Sequence, residues 1–187
     1  MTVSLILADG TCFKGESFGF QQPVSGELVF NTAMTGYPEL LTDPASRGQL
    51  LVMTYPVIGN YGIQPIESDE YGLPTNAESF HAQARALIVS DYSDFYSHWN
   101  AKESLEDWMK REKVAGICGV DTRELTKHIR QHGSMTAKIM FEGKNKPEEY
   151  SYTNMLPEVS CKEPVTYNEG ASKEVVLLIA LVSSRSS

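Results

Sequence analysis

The feature that most constrains this chain lies in its second half, where short apolar-rich runs alternate with segments of helical period. Ala84 to Ser90 (ARALIVS) has the length and composition of a buried strand. Ser104 precedes Leu105, Trp108 and Met109, which share one face at i, i+3 and i+4, so its hydroxyl can cap a helix there. Val114 to Val120 reads as a strand interrupted by two glycines. Asp121 with Glu124 three residues on has the form of a capping box, Leu125 and Ile129 share a face, and Gly133 supplies a stop. Ser134 to Phe141 closes the series as a strand. Strand, helix, strand, helix, strand implies α/β packing, because each helix has to bury its apolar stripe against a sheet.

The first half adds antiparallel pairing. In SLILADGTCFKG, two apolar-rich runs flank Asp9-Gly10, a favoured two-residue hairpin turn because both positions tolerate positive φ. Glu27 to Thr32 and Gln49 to Thr54 read as strands, with a short helix or turn between them that Asp43-Pro44 terminates. Tyr55 to Gln83, punctuated by Pro56, Gly59, Gly62, Pro65, Gly72 and Pro74, reads as loop. The expectation is one mixed α/β domain over residues 1–142. Residues 143–173 are polar and carry Pro147, Pro157 and Pro164, which suits a linker or strap. Residues 174–187 open with EVVLLIALV, the pattern of a buried strand belonging to a new unit that the chain leaves unfinished.

Composition narrows the function classes. A chain of 187 residues with 41% hydrophobic and 21% charged residues can bury a core of its own. Its net charge is -8 and its 16 basic residues are scattered along the sequence, so no nucleic-acid or anionic-lipid partner is expected. No apolar run reaches the roughly 20 residues of a membrane helix, and the N-terminus has neither signal nor transit pattern, which leads to an expectation of cytoplasmic residence and no membrane partner. Cys12, Cys118 and Cys161 are widely spaced and form no CxxC pair, so they read as reduced thiols in the role of small apolar residues.

Three strings carry a family resemblance: GELVFNTAMTGYPELLTDP, then TYPVIGNYGI, then GVDTRELTKHIRQHGSM. Together they resemble the N-terminal domain of the small, glutaminase-bearing subunit of carbamoyl phosphate synthetase across nearly all of residues 4 to 140. His98-Trp99 and SDEYGL resemble the fused eukaryotic, glutamine-dependent form. The resemblance implies a domain of the swivelling β/β/α type that does no chemistry and needs no cofactor. It would dock a glutaminase domain onto the synthetase part, so that ammonia reaches the site where carbamoyl phosphate forms for pyrimidine or arginine synthesis. The family's glutaminase nucleophile belongs to a later region; EVVLLIALV resembles the first strand of that region, and the chain is expected to be cut short there and inactive alone. One contact carries over: the family's glutamine pocket borrows a serine just after the Asp-Pro of LTDP, where this chain has Ala45 followed by Ser46. The resemblance thus puts the pocket edge at Ala45 and Ser46, with a backbone amide or Ser46 in place of the serine; ammonia-using relatives also carry alanine there, so Ala45 does not decide between glutamine and free ammonia.

Other residues admit two readings. Cys118 in GICGVDT resembles a glutaminase elbow, with His128 or His132 as base, and the chain would then be an independent cysteine amidohydrolase; its alternative is a buried strand residue. His128 and His132 have the i, i+4 spacing of a zinc pair, but no glutamate lies between them, and solvated histidines explain them as well. Asp121, Arg123 and Glu124 form either a catalytic cluster or a cap with an exposed ion pair, Arg123 being an interface or capping residue. Gly59-Asn60-Tyr61-Gly62 forms either a phosphate cradle or a structural loop. A truncated regulatory or non-functional product is a further alternative for the whole chain.

Overall fold

The computed structural model describes residues 1–151 and 155–163. The chain runs β1 (Thr2–Leu7), β2 (Cys12–Gly19), β3 (Val24–Asn31), α1 (Tyr37–Thr42), β4 (Gln49–Met53), β5 (Val57–Ile58), β6 (Ala86–Ile88), β7 (Asp91–Tyr92), α2 (Leu105–Glu112), β8 (Ala115–Cys118), α3 (Thr122–His132), β9 (Met135–Phe141) and α4 (Leu156–Val159), with a 3-10 turn at Pro44–Ser46 after α1. The fold is mixed α/β, as expected. Its main sheet closes into a seven-stranded barrel in the order β1-β2-β8-β6-β4-β3-β9, and β5 and β7 form a two-stranded parallel sheet beside it.

The barrel has two kinds of wall. β3, β4, β6 and β8 pair in parallel, joined by crossovers that carry α1, the long loop and α2. β1, β2 and β9 close the ring through antiparallel pairs. The side-chain period of two sorts the parallel strands into two cores. Leu50, Val52, Ala86, Ile88, Ala115 and Ile117 point into the barrel with Val3, Leu5, Ile139 and Phe141. Leu51, Met53 and Leu87 point outward, where α1 and α2 cover them with Tyr37, Leu41, Leu105, Trp108 and Met109. Burial on both faces is why β4 and β6 read as near-continuous apolar runs.

The opening hairpin differs in detail from the expected two-residue turn. Leu7 N donates to Thr11 O at 2.9 Å and Gly10 N to Leu7 O at 3.0 Å, so the loop is Ala8-Asp9-Gly10. Only Gly10, at φ 89°, takes the left-handed conformation, as in a type I turn followed by a bulge. Asp9 instead spends its side chain on the turn, its Oδ1 accepting from Thr11 N at 2.8 Å. α2 is capped by the Ser104 side chain, which accepts from Asp107 N, and α3 by Asp121, which accepts from Arg123 N and Glu124 N.

Beyond β9 the described chain crosses the end of the barrel where the parallel strands begin. The Ser25 hydroxyl donates to Glu148 O, Arg85 lies over the Tyr150 ring, and Arg47 pairs with Glu158 at 2.7 Å. Met155 packs so closely on Gly48 that a Cβ there would stand 2.6 Å from its methyl group. Over its described length the run from Glu142 onward lies against this end of the barrel through these contacts, and is called the strap. The segment 174–187, expected to open a new unit, lies outside the described residues.

Candidate functional site

The three parallel strands β4, β6 and β8 end together, and their exits line a cavity of about 460 Å³ with Thr54, Ser90, Asp91, Gly119, Asp121 and Arg123 among its walls. Ligands of open α/β sheets sit at this edge, outside the carboxyl ends of the strands. Here the N-terminus of α3 faces the cavity with its first amides already taken by the Asp121 carboxylate, at 3.1 Å from Arg123 N and 2.9 Å from Glu124 N. Asp121 therefore caps, while Arg123 and Glu124 are exposed. No reciprocal bond from the Glu124 side chain completes the capping box among the described residues.

A second cavity, about 360 Å³, shares Thr54 and Arg123 with the first and continues along α3 past Lys127, Arg130 and Gln131 to Thr32. The basic residues are scattered in sequence, but the helical period gathers three of them on one face. The expectation of no cationic grouping is corrected here: Arg123, Lys127 and Arg130 are neighbours at i, i+4 and i+7.

The reactive readings are not assembled. Cys118 is half-buried on the outer face of β8, and its thiol donates to Glu16 O at 3.5 Å. Burial, with the Glu16 carboxylate nearby, pushes the thiol pKa up, the opposite of what a nucleophile needs. Neither His128 nor His132 hydrogen-bonds to that sulfur among the described residues. His128 Nε2 instead meets Asp9 Oδ2 at 2.6 Å, and His132 Nδ1 meets His128 O at 3.0 Å, with the two rings stacked 4.3 Å apart. No group of three metal-ligating side chains occurs among the described residues. Cys12 and Cys161 are exposed rather than packed in a core.

Gly59-Asn60-Tyr61-Gly62 is filled from the protein side. A Cβ on Gly59 would lie 2.5 Å from Ser93 O, and one on Gly62 2.9 Å from Tyr96 Cβ. Tyr37, fully buried, donates to Gly62 O at 3.2 Å, and burial pushes its hydroxyl pKa well up. The loop is structural. It underlies the segment from Ser93 to Glu103, in which the His98 ring packs tilted against Tyr61, with centroids 4.3 Å apart. From that segment Phe95 and Trp99 project, each 87% exposed. Sequence reasoning took His98-Trp99 only as a family resemblance and passed over Phe95; aromatic content in a loop was the available signal.

Ala45 and Ser46 lie at the other end of the barrel. Ala45 is exposed and its amide donates to Asp43 Oδ1 at 2.8 Å; Ser46 is buried and its amide donates to Asp43 O at 2.8 Å. Both sit one or two residues from Arg47, which holds Glu158 of the strap.

These features define a mixed α/β barrel domain with open concavities at the carboxyl ends of its parallel strands and a strap at the other end. The chain belongs to the carbamoyl-phosphate synthase small chain family: residues 5–139 match the family described as "Carbamoyl-phosphate synthase small chain, CPSase domain". It is 46% identical over 179 residues to "Carbamoyl-phosphate synthase [ammonia], mitochondrial" of Homo sapiens, covering 94% of this chain and 12% of that protein. It is 43% identical over 182 residues to "Carbamoyl phosphate synthase arginine-specific small chain" of Chaetomium globosum, covering 94% of this chain and 40% of the relative. To "Multifunctional protein CAD" of Squalus acanthias it is 41% identical over 177 residues, covering 92% and 8%. The chain thus spans less than half the length of each of these relatives. No helix among the described residues is long and apolar enough to cross a membrane.

Proposed function

We propose that this chain is a docking domain of a glutamine-dependent carbamoyl phosphate synthetase: it performs no chemistry, needs no cofactor, and seats a glutaminase domain on the synthetase part so that ammonia passes between them. The carbamoyl phosphate would serve pyrimidine or arginine synthesis, in the cytoplasm. The observation that carries this reading is the pair Phe95 and Trp99, both 87% exposed on a segment anchored from below by Tyr61 and His98. Large aromatics held in solvent by a rigid base are the side chains that dominate protein interfaces.

The strap supports a second contact. Its Glu158 is held by Arg47 beside the turn at Ala45 and Ser46, so we assign that turn to the contact with a glutaminase domain. Since both amides are bonded to Asp43, Ala45 would contribute its exposed methyl group and its position to the edge of a glutamine pocket, rather than a backbone donor.

The test is co-purification of the chain with the synthetase part, followed by affinity measurement. Phe95→Ala with Trp99→Ala is expected to weaken the complex at least tenfold, about 1.4 kcal/mol, while leaving the fold intact. Absence of any complex with the unaltered chain refutes the reading. In parallel, glutamine hydrolysis by the chain alone should stay at background and be unchanged by Cys118→Ser; activity that the substitution abolishes would restore the amidohydrolase reading.

A further inference from the structure

We infer that the exposed face of α3 is an electrostatic docking surface for an acidic segment of the synthetase part; this rests on the docking role above and assigns it a surface and a chemistry. Arg123, Lys127 and Arg130 are all exposed, and at about 1.5 Å rise per residue they span about 10 Å of helix. Between them lies the 360 Å³ cavity whose remaining walls include Thr32, Thr54 and Gln131, with no carboxylate.

What marks this face is that three cations stand together around one cavity with no carboxylate among them. Three other basic side chains are neutralised within the protein: Arg47 by Glu158, Lys110 by Glu106 and Arg111 by Glu103. Among the described residues no carboxylate lies within 4.0 Å of the Arg123, Lys127 or Arg130 nitrogens. Arg130 rests on the Phe30 ring, 5.1 Å from its centroid, which steadies the guanidinium without neutralising it. Like charges at i, i+4 destabilise a helix. In a chain with 24 acidic residues and a net charge of -8, three adjacent cations left unmatched present a local field opposite to that of the whole.

Two of the three hydroxyls lining the cavity are committed, Thr126 donating to Thr122 O at 2.7 Å and Thr54 to Asn31 O at 3.2 Å. The two guanidinium forks, the ammonium, the Gln131 amide and the Thr32 hydroxyl are left as donors, a set that suits carboxylates. Carboxylates from the described strap are not the occupants, because the strap crosses the opposite end of the barrel, where Glu158 is held by Arg47. A row about 10 Å long suits several acidic side chains of a folded segment better than one small anion. Three cations in an acidic chain are also too few to hold a nucleic-acid backbone through physiological salt.

The experiment uses the full chain with the synthetase part, reading the dissociation constant at 50 and 200 mM salt. The unaltered chain is expected to bind more weakly at the higher salt. Arg123→Gln, Lys127→Gln and Arg130→Gln together are expected to weaken binding at least tenfold at 50 mM and to remove most of the salt dependence, with an unchanged circular dichroism spectrum and melting midpoint. A triple variant that binds like the unaltered chain overturns this inference and leaves the docking role standing. Salt-independent binding by the unaltered chain also overturns it, and that measurement needs no variant to fold. Retention of a short duplex oligonucleotide at 200 mM salt, with no binding to the synthetase part, would overturn both.

Discussion

Asp9 ties the first hairpin to a helix 119 residues away through His128 Nε2, at 2.6 Å. Its carboxyl is held down to about 2, first by the Thr11 hydrogen bonds and then by His128, against an ordinary value of 3.8. The folded state therefore binds fewer protons than the unfolded one at that site, and the stability it contributes is full above pH 3.8 and lost as pH falls through about 2. Asp9→Asn is expected to flatten the acid limb of stability between those values, measured by urea denaturation at stepped pH. An acid limb as steep as before would show that Asp9 plays no part. The residue's turn role was legible in sequence because Asp-Gly is a local signal. Its partner was not, since nothing local links residue 9 to residue 128. The same bond withdraws one nitrogen from the histidine pair that had the spacing of a zinc site.

Elements with their own caps were the ones sequence reasoning placed best. α2 begins where Ser104 was expected to cap, and its expected face, Leu105, Trp108 and Met109, is buried in the outer core. Trp108→Ala should cost about 3–5 kcal/mol and Ser104→Ala about 1 kcal/mol in chemical denaturation. A Trp108→Ala loss below 1 kcal/mol would contradict its place in the core. Tyr92, whose hydroxyl accepts from Glu106 N at 3.3 Å and is pushed up to about 12 by burial, joins β7 to this helix. The strands β5 and β7 escaped notice because two-residue strands carry no period to read. α3 was placed by its cap and its buried Leu125 and Ile129, yet the meaning of its other face was missed. Counting basic residues along the chain cannot show that three of them share a helix face until the helix is drawn.

For the whole molecule, the strap is an addition to the barrel. A chain ending at residue 146 is expected to keep a single cooperative unfolding transition, because both core clusters lie within residues 3–141. Its stability should fall only modestly, since an exposed pair such as Arg47 and Glu158 contributes about 1 kcal/mol or less; a broad, non-cooperative transition in thermal circular dichroism would count against this division. The sequence by itself determined the mixed α/β class, the two capped helices and the order of the barrel strands along the chain, because periodicity, caps and turn residues act over a few neighbours. The tertiary structure alone decided that β2 pairs with β8 and β3 with β9, so that the sheet closes, and that Cys118 meets a carbonyl instead of a histidine. It also decided which cations stand together at the carboxyl ends of the parallel strands. Those outcomes depend on contacts between residues far apart in the chain, where no local preference selects the partner and only the mutual burial of complementary faces does.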